Sequence, residues 1–430
     1  MNNQLKQIES TISTVYGKNK LTIDYQNKRY ESLLNTFISK FGSTELHFFS
    51  TPGRTELGGN HTDHNNGRVL AASINLDSIG IATKSGNNIV EMYSEGYSKP
   101  FILDLNNLEP VDNEKGTTLS LIRGTAAGLK QPGYNIGGFN ACISSDVLPG
   151  SGLSSSASIE VLIGSIFNAL FNNNSIAPEI LAQTGQFAEN NYLGKPCGLM
   201  DQMACAVGGI ISIDFKDPLN PVFNKANFNF DKYNYKLLVL DTGGSHADLT
   251  NDYASIPFEM KSVAALFNAS VLREISIDTF LEKIPSIREQ LGDRAVLRAL
   301  HFFQENERVE NEVSALSKGD FYKFLELIKA SGNSSFKQLQ NIFTSKNIKE
   351  QGISLALALS EKFIDEIGEG ACRVHGGGFA GTIQIFLPNS SVQEYKNSME
   401  NIFGKNSVQI LSIRSIGTIY LNSLVKKMEE

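Results

Sequence analysis

The sequence predicts a two-domain α+β protein. Three observations carry this prediction. At 430 residues the chain is too long for one ordinary core and long enough for two. Short β-like runs crowd its first half, and long helical patterns dominate its second, closing on further strands.

Composition narrows the class. Hydrophobic residues make up 41% and charged residues 19%, an ordinary globular balance that argues against a disordered or fibrous chain. The formal net charge of -7 gives no field for polyanions, and no Lys/Arg cluster interleaved with aromatics makes a local one, so nucleic acid is not an expected partner. The four cysteines, Cys142, Cys197, Cys205 and Cys372, show neither a C-x-x-C pair nor metal-finger spacing and read as reduced thiols. Residues 1–9 are polar and mixed in charge, unlike a signal peptide. No run reaches the roughly 18 apolar residues of a membrane span, so a cytoplasmic protein without a membrane partner is expected.

Along the chain, residues 1–44 read as an amphipathic helical extension, with Leu5, Ile8, Ile12 and Val15, then Tyr30, Leu33, Leu34 and Phe37, at helical spacing. Strand-like runs follow at 46–49, 67–74, 78–83 and 89–93, before a charged break around 112–115. A strand at 139–144 feeds a Gly/Ser-rich turn and then a helix over 159–171. A second helix is expected over 176–193, with strands at 208–215 and 235–241 on either side of an Asn/Lys-rich stretch. The domain boundary is placed near 215, giving a first domain over 45–215 and a second over 216–430. In the second, helices are expected at 258–267, 294–317, 320–336 and 353–367, and strands at 382–386 and 408–413. No internal repeat is visible.

The turn at 148–158 places glycines and small hydroxyl residues between a strand and an apolar helix. Glycines let the backbone approach a polyanion, and the N–H groups and dipole of a helix start favour negative charge. A Ser-rich helix cap is the alternative. No Lys-Ser/Thr pair follows the glycines, which excludes a Walker A loop. Asp201 follows a Gly-containing turn at 196–199 that could aim a carboxylate into a cleft, or simply cap a helix. Residues 51–64 concentrate Arg54, Glu56, Asn60, His61, Asp63 and His64 in a Gly-punctuated loop between strands, a density of donors and acceptors that suits polyol recognition. Residues 376–381 match G-x-G-x-x-G by letter but run into a strand, so they read as a tight backbone loop beside a ligand or another loop.

These motifs, in this order, resemble those of the GHMP kinases, and among them the galactokinases. That family's first motif, G-R-x-N-L-I-G-E-H-T-D-Y, corresponds to residues 53–64. Its second, G-G-G-L-S-S-S-A-S, corresponds to 150–158, and its third, G-G-G-F-G-G, to 376–381; P-C-G-x-M-D-Q stands intact at 196–202. The likeness spans roughly residues 46–425 and implies the two-domain GHMP kinase fold: a ribosomal protein S5 domain 2-like N-terminal domain and a ferredoxin-like C-terminal domain. It also implies an ATP-dependent sugar 1-kinase acting on galactose. Arg54 and Asp201 would be the catalytic pair, and Ser156 and Glu189 would hold Mg²⁺. Gly150, Ser151, Gly152, Leu153, Ser154, Ser155, Ser156 and Ala157 would bind ATP; Asn60, His61, Asp63, Gly198 and Tyr253 would lie at the sugar. A monomer or weak dimer is expected. A galactose sensor without turnover is the alternative class, which the complete Ser154–Ala157 loop with Arg54 and Asp201 disfavours.

The chain departs from the family at the sugar motif. Asn60 stands for a Glu that lies by the C6 hydroxyl in the family, His64 for a Tyr, and Glu56 for an Asn. Loss of that Glu would remove a negative charge and supply an N–H donor, making galacturonate an alternative substrate. His375 and Ala380 replace Thr and Gly near the third motif, and the sequence offers no account of Glu56, His375 or Ala380.

Overall fold

The computed structural model describes residues 3–42, 45–147, 152–195, 197–226, 228–244 and 249–429. Helices α1 (Asn3–Tyr16) and α2 (Lys20–Phe41) open the chain, followed by β1 (His47–Gly58), β2 (Arg68–Lys84), β3 (Ile89–Ser94), β4 (Phe101–Asp104) and α3 (Thr118–Lys130). Then come β5 (Phe139–Ser145), α4 (Ser155–Phe171), α5 (Pro178–Ala188), α6 (Met200–Val207), β6 (Ile210–Asp214) and β7 (Val222–Ala226). The remainder is β8 (Tyr235–Asp241), α7 (Thr250–Ala265), α8 (Ile277–Glu282), α9 (Ile284–Leu291), α10 (Asp293–Lys318), α11 (Phe321–Ser334) and α12 (Gly352–Ile367). It ends with β9 (Ala371–His375), β10 (Thr382–Pro388), α13 (Val392–Phe403), β11 (Val408–Leu411), β12 (Ile419–Tyr420) and α14 (Leu421–Glu429).

Among the described residues these strands form two sheets. The first runs β12-β1-β2-β5-β3-β4, with β6 and β7 joined to β2, and is mixed because β3 and β5 pair in parallel. The second runs β11-β8-β10-β9 and is wholly antiparallel. Helices α3, α4 and α5 cover one face of the first sheet through Ile122, Leu162, Phe167 and Leu181. An apolar core joins the two halves: Leu57, Leu70 and Ile74 of the first sheet pack with Leu237, Val239 and Phe386 of the second. The two-domain α+β expectation stands.

Several local expectations change. The sugar-type motif is not a loop throughout; residues 51–58 continue β1, because register shifts at Pro52/Arg54 and Glu56/Gly58 absorb the proline and glycines as bulges. The Asn/Lys-rich stretch contains β7, a mostly exposed edge strand on β6, so the first sheet extends past residue 215. The chain end also returns to the first sheet: β12 pairs with β1, and α14 packs on α1.

The amphipathic extension folds as its spacing predicts. Leu5, Ile8, Ile12, Val15, Tyr30, Leu33, Leu34 and Phe37 are all buried, in one cluster with Phe48, Ile79, Ile81 and Leu421 on the outer face of the first sheet. Burying each large side chain contributes roughly 1.5–3 kcal/mol. Beside this cluster a polar hub fixes the extension's position. The fully buried Asp77 carboxylate accepts from Arg29 Nη1 at 2.6 Å, Tyr16 OH at 2.5 Å, Arg414 Nη1 at 3.1 Å and the Ser50 hydroxyl. Burial pushes its pKa up, but Arg29 and Arg414 outweigh burial and hold it below the usual range.

Replacing Asp77 by Asn leaves two buried guanidinium groups facing a neutral amide, and should destabilise the protein by about 3–5 kcal/mol in urea unfolding at neutral pH. Because the folded pKa is depressed, the carboxylate's stabilisation is present above the unfolded value of about 3.9 and is lost as pH falls through the folded value. The gap between wild type and Asp77→Asn should therefore narrow as unfolding is followed below about pH 3.9.

Candidate active site

The site assembles where β1, the start of α4 and the start of α6 meet. At Gly53 the backbone of β1 comes so near the phosphate loop that an added Cβ would lie 2.8 Å from the Leu153 carbonyl oxygen. The next residue exploits that approach. The Arg54 N–H donates to the Leu153 carbonyl at 3.1 Å, and its side chain, 7% exposed, turns toward α6. There the guanidinium binds Asp201 with both prongs, Nε to Oδ1 at 2.6 Å and Nη2 to Oδ2 at 2.7 Å, while Nη1 donates to the Gly152 carbonyl. This is the fork-to-carboxylate geometry for which Arg is suited.

Asp201 stands in the first turn of α6 and keeps a quarter of its side chain, 27%, exposed. Burial pushes its pKa up, yet Arg54 and the Ser154 hydroxyl, which donates to Oδ2, hold it below the ordinary carboxylate range. Asp201 is thus an ionised carboxylate with access to a ligand. Because Ser154 gives its hydroxyl to Asp201, it does not cap α4. It takes a left-handed backbone conformation at φ 60° and its side chain makes no cap bond, so the first N–H groups of α4 are not spent on the Ser154 hydroxyl. Leu153 and Ala157 are buried. Ser155 is half-buried as the first residue of α4. Gly150 and Ser151 lie outside the described residues.

Below the start of α4, Glu189 sits where α5 gives way to a π-type turn over Glu189–Leu193, a widening often found at functional positions. Its Oε1 accepts from Ser156 Oγ at 3.1 Å and lies 3.4 Å from Lys195 Nζ. Its Oε2 accepts from Gln202 Nε2 at 2.8 Å and from Cys197 Sγ at 3.3 Å. The same Gln202 amide reaches Glu160 at 3.1 Å. Burial, then Glu189, pushes the Glu160 pKa well above the usual carboxylate value. Ser156 and Glu189, paired from sequence, are brought together. Gln202 stood within a quoted motif without a role, and Glu160 gave no signal because it lies inside an apolar helix.

The polyol side adjoins. Gly198 lies against Asp63, so closely that a Cβ there would sit 2.2 Å from the Asp63 carboxylate. His61, at a positive φ of 57°, donates from Nε2 to the Gly377 carbonyl at 2.9 Å. Burial and the neighbouring His64 lower its pKa to about 4, so it is neutral at physiological pH. The Tyr253 hydroxyl donates to the Gly378 carbonyl at 2.9 Å. The third motif therefore forms the tight loop beside another loop that its letters suggested.

Asn60 requires a correction. It is fully buried, and its N–H groups go to Glu56 at 3.0 Å and to the Gly376 carbonyl at 2.7 Å, while its oxygen accepts from Asn341 and Ser335. No Asn60 donor is left for a ligand, and a carboxylate, Glu56, stands in contact with it. The galacturonate argument loses its basis. His375 also gains an account. The Glu56 N–H donates to its Nε2 at 3.3 Å, which leaves the proton on Nδ1 facing the Thr382 hydroxyl at 3.0 Å. Burial, then Arg54, drives its pKa well below the usual histidine value, so it is a neutral brace beneath Gly152. Ala380 packs on Gly244.

Comparison with known proteins bears on the family and the fold. The GHMP kinases N terminal domain matches residues 120–209, and the Galactokinase galactose-binding signature matches residues 35–84. The chain is 30% identical to the galactokinase of Lactococcus lactis subsp. lactis over 386 residues, covering 86% of this chain and 91% of that protein. It is 29% identical to the galactokinase of Clostridium tetani over 381 residues, covering 88% and 93%. Among solved structures, Lactococcus lactis galactokinase complexed with galactose superposes with a TM-score of 0.77 at 26% identity, covering 91% of this chain and 99% of that one. A mevalonate kinase shares the fold at a TM-score of 0.58 and 19% identity, covering 86% and 99%. With the three motifs in order on this fold, the chain belongs to the galactokinase family of the GHMP kinases.

Proposed function

We propose that this ATP-dependent sugar kinase transfers the γ-phosphoryl group of ATP to the anomeric hydroxyl of galactose, giving galactose 1-phosphate and ADP. The observation that carries this reading is the two-pronged Arg54–Asp201 pair, tied through Ser154 to the phosphate loop. It joins a base for the acceptor hydroxyl to the cradle for the donor. The reading takes the enzyme to work in the cytoplasm, where ATP is supplied.

In a loose phosphoryl-transfer transition state the acceptor hydroxyl becomes acidic late, so a carboxylate kept ionised by its neighbours can still take the proton. Asp201 would be that acceptor, and Arg54 would fix its orientation and offset charge growing on the transferred group. Transfer is direct and in line, without a phospho-enzyme. The first N–H groups of α4 would hold phosphate oxygens. The donor set supports Mg²⁺: the Ser156 hydroxyl and the Glu189 carboxylate are hard oxygen ligands already 3.1 Å apart, and Gln202 orients the carboxylate. When bound, Mg²⁺ neutralises charge on the phosphate oxygens. Asp63, the Gly198 backbone, His61 and Tyr253 would frame the sugar.

Asp201→Asn should lower kcat by about 10²- to 10⁴-fold with modest change in galactose binding; a near wild-type rate removes Asp201 from the mechanism. Ser154→Ala takes away a hydrogen bond that depresses the Asp201 pKa. The acid limb of kcat against pH should therefore move to higher pH, and an unmoved limb denies Asp201 the role of base. In an ADP-release screen of galactose, galacturonate, N-acetylgalactosamine, glucose and arabinose, galactose should turn over fastest, and faster turnover of galacturonate overturns the assignment.

A further inference from the structure

Two departures from the family's first motif touch each other. Glu56 stands where the family has Asn, and Asn60 stands where it has Glu. Glu56 Oε1 accepts from Asn60 Nδ2 at 3.0 Å, and the two residues are 4% and 0% exposed. An amide and a carboxylate have traded places. One negative charge and one N–H donor are kept across the gap, and so is the summed length of the two side chains.

The charge has a fixed partner. Arg373, with no exposed side-chain surface, donates Nη2 to the same Glu56 oxygen at 2.5 Å, and donates Nη1 to the Leu57 carbonyl and Nε to the Val374 carbonyl at 2.9 Å each. The gap therefore suits one carboxylate. With none, a guanidinium is buried without its counter-charge; with two, like charges face each other and the Gly376 carbonyl loses its donor.

The pair also sits at the head of a docking row. Asn60 donates to the Gly376 carbonyl, His61 to that of Gly377 and Tyr253 to that of Gly378. Three consecutive carbonyls of the third motif thus each accept from a polar side chain, and His61 and Tyr253 are candidate sugar contacts. Asn341 closes the row, donating Nδ2 to Asn60 at 2.9 Å and to the Gly377 carbonyl at 3.1 Å.

We infer that Glu56 and Asn60 are one coupled positioning pair, which docks the sugar-side turn at residues 59–64 onto the glycine turn at 376–378. Sugar affinity depends on the pair holding one carboxylate and one amide, whichever position carries which. For its kinetic readout this rests on the galactose kinase reading; its stability readout does not.

The test compares full-length wild type, Glu56→Asn, Asn60→Glu and the double exchange Glu56→Asn/Asn60→Glu. Thermal unfolding is measured without ligands, and steady-state kinetics with galactose and ATP. Each single change should lower Tm by several degrees and raise KM for galactose by about tenfold, with KM for ATP within about twofold of wild type. The double exchange should regain most of both losses, and Glu56→Gln, which keeps shape without charge, should behave as a single loss. A single variant that cannot be obtained folded, beside a folded double exchange, counts as the same recovery. Losses that add in the double exchange overturn the inference. Recovery of Tm in the double exchange, in a protein that does not phosphorylate galactose, upholds the pair and overturns the substrate. Galactose turnover with additive losses overturns the pair alone.

Discussion

The Arg54–Asp201 ion pair is the constraint around which the site is arranged. It joins a bulged position of β1 to the first turn of α6, with the Gly152 carbonyl and the Ser154 hydroxyl completing its hydrogen bonds. A guanidinium this deeply buried needs partners on each of its three nitrogens, or its desolvation is not offset. That requirement fixes the neighbours. The phosphate loop has to bring two polar groups to the pair, and Ser154 has to abandon the helix cap to do so. A carboxylate kept ionised and a helix start not capped by Ser154 are then two consequences of one local hydrogen-bonding arrangement.

A second constraint acts on the polyol side. The glycine-rich turn at 376–378 presents carbonyl oxygens in sequence, and they take donors from two distant parts of the chain: Asn60 and His61 after β1, and Tyr253 on α7. Elements from both sheets and from the helical part of the second half therefore converge on one short turn. The apolar contact of Leu57, Leu70 and Ile74 with Leu237 and Phe386 sets the two sheets at the separation this convergence needs.

Much of this was legible in the sequence because it is local. Helical spacing named the residues buried by α1 and α2, and the apolar run after the Gly/Ser turn gave α4. Motif order named Arg54, Asp201, Ser156 and Glu189, which the fold brings into pairs. What stayed hidden is long-range or masked by local chemistry. Pro52 and Gly53 read as a turn, yet bulges carry β1 through them. Helix α3 carries Gly124 and Gly128 and is buried continuously from Ser120 to Ala126, so neither propensity nor periodicity marks it. Asp77 looks like any strand-end carboxylate until Arg29 and Arg414, from opposite ends of the chain, close on it. Glu56 and Asn60 looked like independent departures, and only their contact turns two anomalies into one exchange.

The central claim is that one carboxylate, oriented by one guanidinium, faces both the sugar and the phosphate cradle. A crystal structure with galactose and a non-hydrolysable ATP analogue tests it most directly. The account predicts the anomeric oxygen within hydrogen-bond reach of the Asp201 carboxylate, about 2.6–3.2 Å, and in line with a γ-phosphate held at the start of α4 with Arg54 still forked onto Asp201. Galactose seated away from Asp201, or a triphosphate bound elsewhere than the α4 start, would contradict it.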